Sequence, residues 1–199
     1  MQGETKEARA EYEKFSDAML EMSRSSIYSA SQLTGIAEQG ARGGIALYEN
    51  LKDYVDLAQT IGIAYNSDAD TAGAILRDWV SKMGLTMSTV GEDGELTKGT
   101  AEILADSINR LGNRTLSDSL AIAKIVTQAG LTGKTGGMEY GELAAFAATL
   151  GASGFSGQED RISTSLKNMI LSLNDVGTGS TPKGKGEGNS AGGRSIPSG

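Results

Sequence analysis

Large apolar residues in this chain return every three or four positions, in runs broken by glycine or asparagine, and no stretch sustains strict alternation with polar ones. Leu51, Tyr54, Val55, Ala58 and Ile61 trace one such stripe; Ala72, Ile75, Leu76, Trp79 and Met83 trace another, closed by Gly84. Ile103, Leu104, Ile108 and Leu111 run up to Gly112-Asn113. This spacing keeps apolar side chains on one face of a helix and scatters them over both faces of a strand. The best strand candidate, Leu120 to Thr127, fits the helical template better, because Lys124 falls opposite Ile122, Ile125, Val126 and Ala129. The expected fold is all-α, a bundle of about seven helices.

Further helices are expected over Glu4–Ser25, with Tyr12, Phe15, Met19 and Met22 on one face, and over Ser29–Ala41, with Leu33, Ile36 and Ala37. The first carries little else that is apolar, so it should lean on a partner or continue a longer coiled segment. Asp68 offers an N-cap for the Trp79 helix, and Thr97 or Thr100 for the next. Gly91-Glu-Asp-Gly94 reads as a surface turn, and Gly130–Gly137 as a break, each glycine costing about 1 kcal/mol relative to alanine inside a helix. Beyond it come a helix on Tyr140–Leu150, a loop Gly151–Gly157, and a last helix from Gln158 carrying Ile162, Leu166, Met169, Ile170 and Leu173. Residues 177–199 hold one large apolar residue, Ile196, too little to offset ordering entropy, and are expected to be a flexible, disordered linker or tail. The expected organisation is an N-terminal helix over 1–25, a helical core domain over 26–176, and that tail.

The two halves resemble each other at an offset of 92: Leu33 pairs with Ile125, Ala37 with Ala129, Tyr48 with Tyr140, and Leu51 with Leu143. Two pseudo-repeated three-helix units joined by the Thr97–Leu111 helix are one explanation. Chance matching of helix-periodic residues is the other.

Little in the chain points to chemistry. Cysteine and histidine are both absent, which removes disulfides, thiolate metal sites and the commonest general base. A net charge of −7, from 18 basic and 25 acidic side chains, argues against nucleic-acid binding through phosphates. Gly133-Lys134-Thr135 has the end of a phosphate-binding loop, but the first glycine of that pattern is Gln128 here and Gly136-Gly137 follow. Asp68, Asp70 and Gly73 faintly suggest a calcium loop whose final ligand position is Trp79, so a capped helix start is the better reading. Asn113-Arg114-Thr115 matches a glycosylation acceptor with no secretory route to make use of it. Glu102, Glu139 and Glu142, the candidates for carboxylate catalysis, sit in charged helical contexts where solvation is the default. Trp79, Phe146, Phe155 and Met169 at helical spacing read as core. No catalytic, cofactor-binding or metal-binding residue is therefore expected, nor a small-molecule substrate or specific nucleic-acid binding; the chain is read as a non-enzyme. Met1-Gln-Gly-Glu-Thr-Lys has no apolar core of a signal peptide, and no run approaches the roughly 20 apolar residues of a membrane span.

The order of patterned segments carries a resemblance. Ala101-Glu-Ile-Leu-Ala-Asp-Ser-Ile-Asn109, Ser117-Asp-Ser-Leu120, Glu142-Leu-Ala-Ala-Phe-Ala-Ala-Thr-Leu150, Gly154-Phe155, and the Ile162–Leu173 stripe follow one another. In that order and spacing the chain resembles the core domain of tailed-phage (or prophage) tail tape measure proteins over roughly residues 26–176. An enlarged Gly130–Gly137 loop is its departure from that pattern. The resemblance implies a structural virion protein acting in tail assembly and tail length determination. It also implies residence in the tail lumen, with host cytoplasm during assembly, self-association, and tail tube, tail-tip or tail assembly chaperone proteins as partners. The competing readings are a helical adaptor or chaperone-like module docking through Tyr12–Met22, and a membrane-active or muralytic segment used in genome entry.

Overall fold

The computed structural model describes residues 2–45, 48–90, 95–153 and 157–177. Among these the chain forms eight helices: α1 (Gln2–Ser23), α2 (Ala30–Arg42), α3 (Tyr48–Ala64), α4 (Ala69–Ser81), α5 (Thr100–Arg114), α6 (Ser119–Thr135), α7 (Tyr140–Ala152) and α8 (Glu159–Gly177). The fold is the expected all-α bundle, and among the described residues there is no sheet beyond one small ladder. In that ladder β1 (Thr89–Val90) pairs antiparallel with β2 (Leu96–Thr97), Thr89 opposite Thr97. Two residues a side are too few to write an alternating pattern into the sequence. The expected turn at Gly91–Gly94, Gly154-Phe155 and the tail beyond Gly177 lie outside the described residues.

Helix starts follow local chemistry. Ser29 and Gln32 form a reciprocal capping box on α2, and the Asp68 carboxylate accepts from the Thr71 amide at 2.8 Å on α4. The expected threonine cap on α5 is corrected: its N-cap is Gly99, with no side-chain cap hydrogen bond. Thr100 is otherwise engaged, its hydroxyl accepting from the Thr86 amide at 2.8 Å while Thr86 Oγ1 accepts from the Thr100 amide at 3.1 Å. A Cβ at position 99 would collide with the Thr86 and Met87 backbone, so only glycine allows this crossing.

The expected glycine break at Gly130–Gly137 is also corrected. α6 runs through Gly130 and Gly133 and ends at Thr135; Gly137, at φ +85°, makes the turn. Both interior glycines are places of close approach. A Cβ on Gly130 would lie 2.8 Å from Met83 Cε, and one on Gly133 would lie 3.3 Å from Leu143 Cδ2. Packing against those side chains offsets the roughly 1 kcal/mol that each glycine costs a helix.

All eight helices contribute to one core, with Trp79, Tyr54, Tyr65, Met19, Leu33 and Ile36 among its largest buried residues. The core is built twice. The three helices α2–α4 correspond to α6–α8, and the helix expected as a connector, α5, corresponds to α1, so each unit has four helices. The offset is 89, correcting the 92 of the sequence match: Leu33, Ile36, Ala37 and Gly40 of α2 map onto Ile122, Ile125, Val126 and Ala129 of α6, all buried. Tyr54, Val55, Ala58 and Gly62 map likewise onto Leu143, Ala144, Ala147 and Gly151. One further residue of shift carries Ala72, Gly73 and Leu76 of α4 onto Ile162, Ser163 and Leu166 of α8.

Polar details repeat at the same offset. Between α1 and α2 the Tyr28 amide donates to Ser26 Oγ at 2.9 Å; between α5 and α6 the Ser117 amide donates to Thr115 Oγ1 at 3.2 Å. The Tyr28 hydroxyl then lies over Gly62 and donates to the Ser67 carbonyl at 2.6 Å, while Ser117 Oγ lies over Gly151 and donates to the Ala148 carbonyl at 2.7 Å. Each helical glycine is needed, because a Cβ there would overlap the hydroxyl oxygen.

Candidate interaction surface

The residues that hinted at chemistry serve helix ends and are not brought together. Lys134 sits in the last turn of α6, donates to Glu139 at 2.7 Å and lies 5.7 Å from the centre of the Tyr140 ring. The hydrogen bond to Glu139 holds its ammonium above the ordinary lysine range. Asp68 caps α4, and the hydrogen bonds from the Thr71 amide and hydroxyl hold its carboxyl below the usual range. Glu102 is held low by Ser88 and then by Lys98, while Glu139 and Glu142 form the capping box of α7. Thr115 supplies the turn described above. Among the described residues no group of three Asp or Glu side chains could hold a metal ion, and no helix is long and apolar enough to cross a membrane.

What the polar groups do instead is stitch helices. Burial pushes the Tyr54 and Tyr65 hydroxyls well above the ordinary tyrosine value, so both remain donors. Tyr54 donates to the Gly73 carbonyl at 2.6 Å, tying α3 to α4. Tyr65 donates to the Ala105 carbonyl at 3.0 Å, tying the first unit to α5. Trp79, fully buried, donates from Nε1 to Thr127 Oγ1 at 2.8 Å, and Tyr140 donates to the Met83 carbonyl at 2.9 Å. These bonds bring α3 and α4 of the first unit against α5, α6 and α7 of the second.

The corresponding face of the second unit is bare. α7 and α8 diverge and leave an apolar groove of about 260 Å³, lined by Phe146, Leu150, Ile162, Leu166 and Met169, with Gln158, Arg161 and Ser165 also at its walls. Four residues expected on apolar faces are corrected: Met169 is 40% exposed, Ile103 51%, Leu173 64% and Tyr12 71%. Phe146 is half-buried beside the groove and Trp79 is fully enclosed, while Phe155 lies outside the described residues. Two further apolar residues escaped the sequence reading: Ile27 at 70% and Leu116 at 90% exposure, at equivalent places in the two interhelix turns. Their signal was the hydroxyl residue just before each, Ser26 and Thr115, which fixes the turn and directs its next side chain outward.

A duplicated helical bundle whose polar groups cap and link helices, with an apolar groove at one end, defines a structural, interaction-forming protein. A family model described as phage-related minor tail protein matches residues 16–192, and the chain belongs to that family of phage tail components. No curated protein and no solved structure matches it.

Proposed function

We propose that the chain is the core segment of a tail tape measure protein, acting in tail assembly and tail length determination from within the tail lumen after assembly in the host cytoplasm. Its work is adhesion and not catalysis. The observation that carries this reading is the bare α7–α8 face, an unfilled apolar groove on a bundle in which Asp68, Glu102, Glu139 and Glu142 serve caps and helix links. Family membership supplies the setting. The partners are tail tube, tail-tip or tail assembly chaperone proteins, together with further copies of the chain.

A measuring rod works by extension, since a helix rises about 1.5 Å per residue. Here the longest helix, α1, has 22 residues, and the helices fold back on one another instead of running end to end. The bundle is therefore an anchor on the ruler and adds little to its reach. In-frame removal of residues 26–176 from the phage gene tests this, with tails viewed by electron microscopy. An anchor predicts that tails fail to assemble. Tails shortened by roughly 230 Å, the extended-helix length of the deleted segment, would make it a rod, and tails of normal number and length would remove the reading.

A further inference from the structure

We infer that the α7–α8 surface is the receiving half of a head-to-tail contact, and that its other half is the α1–α2 surface of a second copy of this chain. The inference deepens the self-association part of the reading above and rests on it. The internal duplication supplies the argument, because the same contact already exists once inside the molecule. In the first unit, Trp79 of α4 and Met83, two residues beyond the end of α4, face α6 of the second, where Trp79 meets Thr127 and Met83 fills the space over Gly130. Both residues are buried. Moved into the second unit, those positions become Met169, which lines the groove, and Leu173 one turn further along α8; both are exposed.

The covering surface is also present, unused, at the other end. Thr127 and Gly130 of α6 correspond to Glu38 and Ala41 of α2, both exposed. Ala41 carries a Cβ where Gly130 has none, and the residue that would meet it, Leu173, has a shorter side chain than Met83. The chain's own residues 178–199 supply one large apolar side chain, Ile196, and cannot cover the groove as a packed unit does. A surface that differs from the one it binds makes a heterologous contact, which grows into rings or open filaments and does not stop at a symmetric pair.

Sedimentation velocity over a concentration series tests this with the full chain and two variants. Met169→Glu blocks the receiving face and Ala41→Glu the inserting face; neither residue belongs to the buried core. The wild type should associate with rising concentration, and each variant alone should weaken association by tenfold or more. An equimolar mixture of the two should form a species that stops at two chains, because one free face of each kind remains. Far-UV circular dichroism checks folding, and should Met169→Glu lose helix, Leu173→Ser, at a 64% exposed position, takes its place. A wild type that stays monomeric throughout overturns the contact, as does Ala41→Glu assembling like wild type, or a mixture that remains monomeric. A monomer that still co-purifies with tail tube protein would remove this contact and leave the tail role standing.

Discussion

Replacing Gly151 by alanine should unseat the hydroxyl that holds α7 against the α5–α6 turn. The new Cβ would occupy the space of Ser117 Oγ and stand 3.0 Å from Ser117 Cβ, and the backbone there gives way less easily than a flexible side chain. Displacing Ser117 breaks its buried 2.7 Å bond to the Ala148 carbonyl. An orphaned buried hydroxyl costs about 1–3 kcal/mol and overpacking about 1–3 kcal/mol, against a gain of up to about 1 kcal/mol in helix propensity. The net loss should be roughly 2–4 kcal/mol, a fall in Tm of about 4–15 °C for a chain of this size. Urea unfolding of four proteins completes a double-mutant cycle: wild type, Gly151→Ala, Ser117→Ala and the double variant. Removing the hydroxyl first relieves most of the clash, so the double variant should recover at least about 1 kcal/mol relative to additivity. The equivalent pair in the first unit, Gly62→Ala with Tyr28→Phe, should show coupling of the same sign. Additive effects, or a Gly151→Ala protein as stable as wild type, would refute the role assigned to both glycines.

Trp79→Ala should destabilise the bundle by about 3–5 kcal/mol, read by thermal melting, because it empties the contact between the units; Thr127→Val, which removes only the hydrogen-bond partner, should cost about 1 kcal/mol. Asp68 has a folded-state pKa below its unfolded value, so its stabilisation is present above the ordinary carboxylate range and disappears as pH falls through the folded pKa. Melting temperature should therefore hold from neutral pH to about pH 5 and drop below about pH 4, with a shallower acid slope in Asp68→Asn. Cysteine is absent, so no disulfide holds the fold, and aromatic content is 5%; the bundle should melt in the ordinary mesophile range, and a Tm above about 90 °C would refute this.

The apolar stripes located the helices, eight where about seven were expected; Asp68 caps α4 as expected, while α4 ends at Ser81, three residues before the expected stop at Gly84. Periodicity misled where it was the only guide. An offset of 92 and one of 89 differ by nearly one helical turn, so sliding a stripe by three residues almost superposes it on itself. Register was fixed by features without that period: the hydroxyls of Ser26 and Thr115, the N-caps Ser29 and Asp118, and the glycines under Tyr28 and Ser117. Gly130 and Gly133 were unreadable as helix because their justification, the side chains of Met83 and Leu143, lies on other helices. The groove was equally hidden. Ile162, Leu166 and Met169 look alike in sequence to a stripe that packs on both sides, and only the divergence of α7 from α8 shows that one side is empty.

That divergence also sets how the chain would yield to a pull. α4 is braced by α2, α3, α5 and α6, whereas α8 rests chiefly on α6. Tension applied from the C-terminal side would therefore lift α8 away like the end of a strip of tape, breaking contacts in succession and not all together. Loads taken one row at a time are small, so a modest pull straightens this end while the first unit still holds its shape.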